Sequence, residues 1–345
     1  MHIAVVVLNY NGRDLLKNYL PSIVKYSGEA NVWVIDNNST DDSVAVLKRN
    51  FPDVKRVINS KNTGYAGGYN EGLSHICADV YVLINSDVRV TEGWLHPITR
   101  AFAADPQLGA AQPVILDDKK NSHYEYAGAA GGFIDRFGYP FCRGRMFDEV
   151  EAVNPEYNHD IDCFWASGAC FAVRADAFHK LGGFYEAYFA HMEEIDLCWR
   201  LQSHGYAVRC LTKSKVYHLG GGTLTYQNPR KVYLNFRNNL IMLGRQLPHQ
   251  DRIRVVFFRM VLDGISAIRF LLTGKWGYFN AILKAHFDYY KHLRMVKDYR
   301  RTRTAAEWRT LNGRYNKSIV WDYFVRRKKH FGDITGAYAK DADRP

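Results

Sequence analysis

An α/β fold, with a mostly parallel central sheet flanked by helices and a basic, mainly helical C-terminal extension, is what three features of this 345-residue sequence predict. Short apolar runs rich in Val and Ile recur at 3–8, 32–35 and 80–84, and the stretches at 13–26, 40–50 and 68–77 read as helices. Strands that alternate with helices form a parallel sheet covered on both faces. The third feature is charge: residues 1–229 hold 21 Lys/Arg against 26 Asp/Glu, whereas residues 230–345 hold 25 against 9. A chain of this length can bury one large core and carry an appendage, so the expected division is a body at 1–228 and an extension at 229–345.

The first run lies in MHIAVVVLNYNG. It has no basic n-region and is too short for a signal peptide, which predicts a buried strand and a cytoplasmic protein. Ser39 or Thr40 can cap the second helix, with Asp41 and Asp42 where the helix dipole favours negative charge. The third helix follows the glycine-rich loop Asn62-Thr63-Gly64-Tyr65-Ala66-Gly67-Gly68-Tyr69-Asn70. Gly64 and Gly67 either bring backbone N–H groups close to a phosphate or sugar, or simply form a helix entry.

In such sheets, ligands bind beyond the carboxyl ends of the strands. Three polar turns fall there: Asn9-Tyr10-Asn11-Gly12, Asp36-Asn37-Asn38-Ser39 and Asn85-Ser86-Asp87. Asp87 is a hard oxygen ligand suited to Mg²⁺ or Mn²⁺ carrying a diphosphate, or else a turn aspartate before the segment that begins at Thr91. Asp36 has the same two readings. The first turn lacks G-x-G-x-x-G, which removes the main support for a dinucleotide-binding dehydrogenase.

Aromatics at 14% and hydrophobics at 47% exclude a disordered chain. Six cysteines without a C-x-x-C pair read as buried free thiols rather than a zinc or redox site. In DRIRVVFFRMVLDGISAIRFLLT (251–273) a helical period puts Arg252, Arg259, Asp263 and Ser266 on one stripe. Charges interrupt this segment too often for a spanning helix. An interfacial helix is expected, with Trp276, Tyr278 and Phe279 near lipid head groups; packing on the body or on a second copy is the alternative. The basic extension calls for an anionic surface. Since no nucleic-acid module is present, a membrane is the expected partner and nucleic acid is not.

Taken in order, VVVLNYNG, VIDNNSTDDS, NTGYAGGYNEG, VLINSDV, GGFYEAYFAHMEEIDLCWRL and VYHLGGGT resemble the family 2 glycosyltransferases of the GT-A fold, over roughly the first two-thirds of the chain. Within that family the sequence is similar to the bacterial branch described as rhamnosyltransferase-like. The resemblance implies that Asp36 contacts the donor nucleoside, with Asn9, Asn11 and Asn38 in the same pocket and Gly64 and Gly67 nearby. It implies that Asn85-Ser86-Asp87 stands where the family has D-x-D, with Asp87 binding Mg²⁺ or Mn²⁺ and His218 completing the metal site.

Glu194 occupies the position of the family's general base, where Asp is usual. The extra methylene moves the carboxylate by roughly 1.5 Å, so Glu193 is kept as an alternative base. Asp196 is the third carboxylate of the group, and it also suits a helix N-terminus. Trp165, in the small-residue segment 165–170, either stacks on a sugar at the acceptor side or belongs to the core.

The implied activity is an inverting, metal-dependent transfer of a sugar from a nucleotide-sugar, dTDP-rhamnose or a UDP-sugar, to a hydroxyl of a glycan acceptor. A polyprenyl-linked saccharide used in cell-surface polysaccharide synthesis fits, with the enzyme peripheral on the inner face of the membrane; a homo-oligomer is left open. The competing readings are a non-catalytic nucleotide-sugar-binding protein and a basic membrane- or nucleic-acid-binding protein.

Overall fold

The structure, a computed structural model, describes residues 1–220, 228–293 and 308–337. Gly221, Gly222 and Thr223 of the last motif, the basic run at 297–307 and the tail at 338–345 lie outside the described residues.

The strands are β1 (Ile3–Asn9), β2 (Asn31–Asp36), β3 (Lys55–Ile58), β4 (Val80–Asn85), β5 (Val88–Val90), β6 (Leu108–Asp117), β7 (Gly132–Asp135), β8 (Pro140–Cys142), β9 (Arg145–Met146), β10 (Glu149–Val150), β11 (Ile161–Asp162), β12 (Cys170–Arg174), β13 (Ala207–His218) and β14 (Arg314–Tyr315). The helices are α1 (Arg13–Tyr26), α2 (Ser43–Asn50), α3 (Gly64–Leu73), α4 (His96–Ala104), α5 (Ala175–Lys180), α6 (Glu193–Ser203), α7 (Pro229–Gln246), α8 (His249–Leu272), α9 (Trp276–Lys291) and α10 (Ile319–Phe324).

The main sheet has nine strands in the order β11-β13-β6-β12-β4-β1-β2-β3, with β5 also on β13. β3, β2, β1, β4, β6 and β13 run in one direction, and β12 runs against both of its neighbours. The predicted mostly parallel α/β sheet is therefore the observed one. Its first run is buried on both faces because alternate side chains enter different cores: Ile3, Val5 and Val7 join one cluster, Ala4 and Val6 the other.

Two helix boundaries differ from the sequence expectation. α2 begins at Ser43 rather than near residue 40 because Ser39 and Thr40 are engaged in the turn: the Ser39 hydroxyl donates to Asp36 (2.7 Å), and Asn11 Oδ1 accepts from Thr40 N (2.7 Å). α3 spans 64–73 rather than 68–77, with its glycines inside the helix. A Cβ on Gly72 would lie 2.3 Å from Ile35 Cδ1, so glycine there sets how closely the helix packs on β2. Propensity argues against a helix with four glycines; close packing overrides it.

The described residues after 228 pack against the body. α7 packs on α6, and β14 pairs in parallel with β7 in a second, five-stranded sheet. All six cysteines are free, and five are buried as expected; Cys77 is exposed. Among the described residues no helix is long and apolar enough to cross a membrane.

Candidate active site

The ends of β1, β2 and β4 bring the three polar turns together, since Asn9 pairs with Asp36 and Leu8 with Asn85. Asp36 is 2% exposed; its carboxylate accepts from Ser39 N (2.8 Å) and from Asn9 Nδ2 (2.9 Å). Asn11 and Asn38 sit exposed on the rim with φ of 50° and 63°, left-handed conformations that asparagine tolerates better than most residues.

In the glycine-rich segment several backbone N–H groups bond within the protein. Tyr65 N and Ala66 N donate to Phe189 O (2.7 and 3.2 Å), and Gly64 N donates to Asn62 Oδ1 (2.9 Å). Gly64, at φ 75°, leaves no room for a Cβ, which would sit 2.3 Å from Phe189 O. The start of α3 thus docks on the chain that leads to the carboxylates.

That chain is unusual. Phe189, His191 and Met192 all have positive φ (65°, 71° and 76°) immediately before Glu193 opens α6. Such conformations cost on the order of 1–3 kcal/mol each and persist only where surroundings impose them. Here the surroundings belong to α7. Asn238 Nδ2 donates to the carbonyls of Tyr188, Ala190 and His191 (3.0, 2.8 and 2.8 Å), and Arg237 Nη2 donates to those of Ala187 and Tyr188 (2.8 and 3.1 Å).

The three carboxylates separate. Asp196 is 0% exposed: Arg200 Nε donates to Oδ2 (2.8 Å), and Tyr188 OH (3.1 Å) and Gln246 Nε2 donate to Oδ1. Asp196 thus bonds within α6 and across to α7, unlike the two glutamates. Glu193 is buried, Glu194 is half-buried, and each has an Oε2 without a hydrogen-bond partner. Burial, and then Glu194's charge, hold Glu193 well above the usual carboxylate range; burial raises Glu194 to about 7.

Glu194 lies beside the small-residue segment: a Cβ on Gly168 would be 3.8 Å from its Cδ, Tyr65 OH donates to Gly168 O (2.9 Å), and Asn85 N donates to Ala169 O (3.0 Å). Trp165 does not face this opening. It is 3% exposed, donates from Nε1 to Phe133 O (2.9 Å), and packs in the core, as the second of its two sequence readings has it.

His218 faces Asp87 because β5 and β13 are antiparallel with His218 opposite Val88. Nε2 is 3.1 Å from Asp87 Oδ1, and Nδ1 is 3.3 Å from Glu125 Oε2. Burial alone lowers the imidazole pKa, but its two carboxylate partners raise it to about 10. The donor set fits a hard divalent cation in one respect: adjacent ligands of an octahedral ion with bonds of about 2.1 Å lie roughly 3.0 Å apart, close to the Asp87–His218 separation. Glu125 on the far ring nitrogen can fix which nitrogen is presented. Among the described residues no group of three or more His, Cys, Asp or Glu is arranged to hold a metal.

Sequence reasoning missed Glu125, Tyr65, Arg237 and Asn238. Glu125 lies in a Tyr- and Gly-rich stretch without a readable pattern, but adjacent Asn238 and Asn239 inside a helix were a legible signal, since asparagine is a poor helix former.

The raised carboxyl pKa values carry a stability prediction. The unfolded value for Glu is about 4.5 and the folded value for Glu194 about 7, so the native state binds more protons. The resulting stability is fully present below pH 4.5 and is lost as pH rises through 7. Glu194→Gln is expected to melt above the wild type at pH 8 and together with it at pH 4.5, in paired calorimetric scans; taking the difference removes the opposite contribution of His191, which burial lowers to about 4.

Residues 4–182 match the family described as Glycosyl transferase family 2. The chain is 26% identical over 234 residues, covering 62% of it and 75% of the relative, to an N-acetylglucosaminyl-diphospho-decaprenol L-rhamnosyltransferase of Mycobacterium tuberculosis. It is 20% identical over 293 residues, covering 80% of it and 87% of the relative, to the low-salt glycan biosynthesis hexosyltransferase Agl10 of Haloferax volcanii. Its fold is similar to that of GalNAc-T7, solved with UDP, GalNAc and Mn²⁺: TM-score 0.56, 16% identity, 72% of this chain and 48% of that one.

Proposed function

From the premise that this chain belongs to glycosyl transferase family 2 and is a glycosyltransferase, we propose that it transfers a sugar, with inversion, from dTDP-rhamnose or a UDP-sugar to a hydroxyl of a polyprenyl-linked saccharide. The observation that carries this reading is Glu194: a half-buried carboxylate with an unpartnered oxygen and a pKa near 7, beside the segment bonded to the Asp87 turn. The prenyl-linked acceptor is supported by what the mycobacterial relative is named for.

In this reading Asn9, Asn11, Asp36 and Asn38 form the nucleoside side, and Asn85-Ser86-Asp87 meets the diphosphate. Asp87 and His218 would hold Mg²⁺ or Mn²⁺, which supplies charge neutralisation for the departing nucleoside diphosphate. Glu194 takes the proton of the acceptor hydroxyl as that oxygen attacks the anomeric carbon from the face opposite the leaving group. Tyr65 and Gly168 shape the floor of that pocket, and burial raises the basicity of Glu194.

The test follows thermal unfolding of the whole chain with UDP, dTDP or GDP, each with and without Mn²⁺, because a ligand that binds the native state raises the midpoint. A rise with UDP or dTDP that needs Mn²⁺ and vanishes in Asp87→Asn is expected. No rise with any nucleotide would sink the donor assignment.

A further inference from the structure

α8 is inside out. Its charged stripe faces inward: Arg259 Nε binds Asp263 (2.7 Å), Tyr139 OH donates to the same carboxylate (3.0 Å), and Arg259 Nη1 donates to Asn239 Oδ1 (2.7 Å). Its apolar stripe faces outward. Ile253, Phe257, Val261, Ile265, Ile268 and Leu272 are 71, 61, 46, 59, 55 and 82% exposed, at intervals of three or four residues along a single helix face. An ordinary surface helix has the opposite arrangement.

The stripe continues onto its neighbours. Phe258 packs its ring on Phe137, and the Arg269 guanidinium lies over Phe324 of α10, where Trp321 and Val325 are also exposed. Contiguous apolar surface of this extent marks an interaction site. Beside it lies a cavity of about 330 Å³ lined by Arg136, Arg254, Arg309 and Arg314, with Asp251 as its acid. Arg314, partly buried beside the like charges of Arg309 and Arg136, is lowered to about 10, chiefly by burial.

We propose that the outward face of α8 and α10 docks on an anionic phospholipid bilayer, with the apolar stripe at the boundary between head groups and acyl chains and the arginine cavity receiving lipid phosphate. Charge chooses the occupant. Two copies of this face would bring Arg254, Arg269 and the arginine cavity against their own kind, whereas an anionic bilayer satisfies the apolar and the basic parts together. No described helix can cross a membrane, so the attachment is interfacial. This deepens the lipid-linked-acceptor reading above by naming the surface that would bring the enzyme to such an acceptor, but its test does not depend on turnover.

The experiment is co-sedimentation of the full chain with vesicles of phosphatidylcholine alone or mixed equally with phosphatidylglycerol, at low and high salt, alongside light scattering without lipid. Binding to the anionic vesicles only, weakened by salt, is expected. Phe257→Ser/Ile265→Ser should weaken it at least about tenfold, since each large apolar side chain contributes that order of partitioning, with an unchanged melting temperature because both residues are exposed. Arg254→Ser should reduce the preference for anionic lipid. Absence of binding, binding indifferent to these substitutions, or a lipid-free dimer that Phe257→Ser/Ile265→Ser dissociates would each overturn the proposal. Normal vesicle binding with no transfer to any prenyl-linked acceptor would instead discard the acceptor assignment and leave the docking surface standing.

Discussion

Glu194→Gln is expected to lower transfer by about 10²–10⁴-fold, the usual worth of a positioned general base, while nucleotide-sugar affinity stays within about twofold of the wild type. The amide keeps the shape of the side chain and removes only its capacity to accept a proton. Glu194 is favoured over Glu193 because it is half-buried where Glu193 is buried, and because Glu193 is held more firmly protonated by burial and its neighbour. Single-turnover transfer beside calorimetric donor titration separates the two quantities. A larger loss in Glu193→Gln than in Glu194→Gln would move the base to position 193. The wild-type rate should also fall on the acid side of about pH 7, as Glu194 gains its proton.

Asp196→Ala is expected to cost about 3–5 kcal/mol of folding stability, the range for breaking a buried ion pair and leaving its partner unmatched. Arg200, 3% exposed, would keep its bonds to the carbonyls of Leu181 and Gly183 but lose the carboxylate that balances its charge, and Tyr188 and Gln246 would lose their acceptor. Denaturant unfolding measures the loss. Stability within 1 kcal/mol of the wild type, on the order of a surface substitution, would return Asp196 to the catalytic group. The two variants therefore part the acidic cluster by different observables: one loses rate, the other stability.

β1, β2 and β4 were legible because a strand buried by the layers on both faces of the sheet is a continuous apolar run. β6 was not, since Gln112 and Pro113 interrupt it; the structure accommodates them through a register shift in β13 between Leu211 and Lys215. The reversal of β12 carries no local signal, because strand direction is set by connections and not by side chains.

At the site, the sequence supplied the turns and the carboxylates but not their division of labour. Glu193, Glu194 and Asp196 differ in role through what long-range packing places around them. Trp165 kept two readings for the same reason: its partner Phe133 lies 32 residues away in sequence. Gly64 and Gly67 were read either for a phosphate or for a helix entry; how closely Gly64 meets Phe189 and Gly72 meets β2 depends on long-range packing that the sequence does not spell out.

The three bonds from Asn238 to the loop before Glu193 also bear on modularity. A segment whose conformation is written partly in its own residues and partly in a helix almost fifty positions later is not portable. Chimeras that exchange extensions between relatives in order to redirect them to new acceptors must therefore splice after α7 rather than before it, carrying Arg237 and Asn238 with the parent body. A junction near residue 228 would join a loop to a foreign helix that has no amide to hold it.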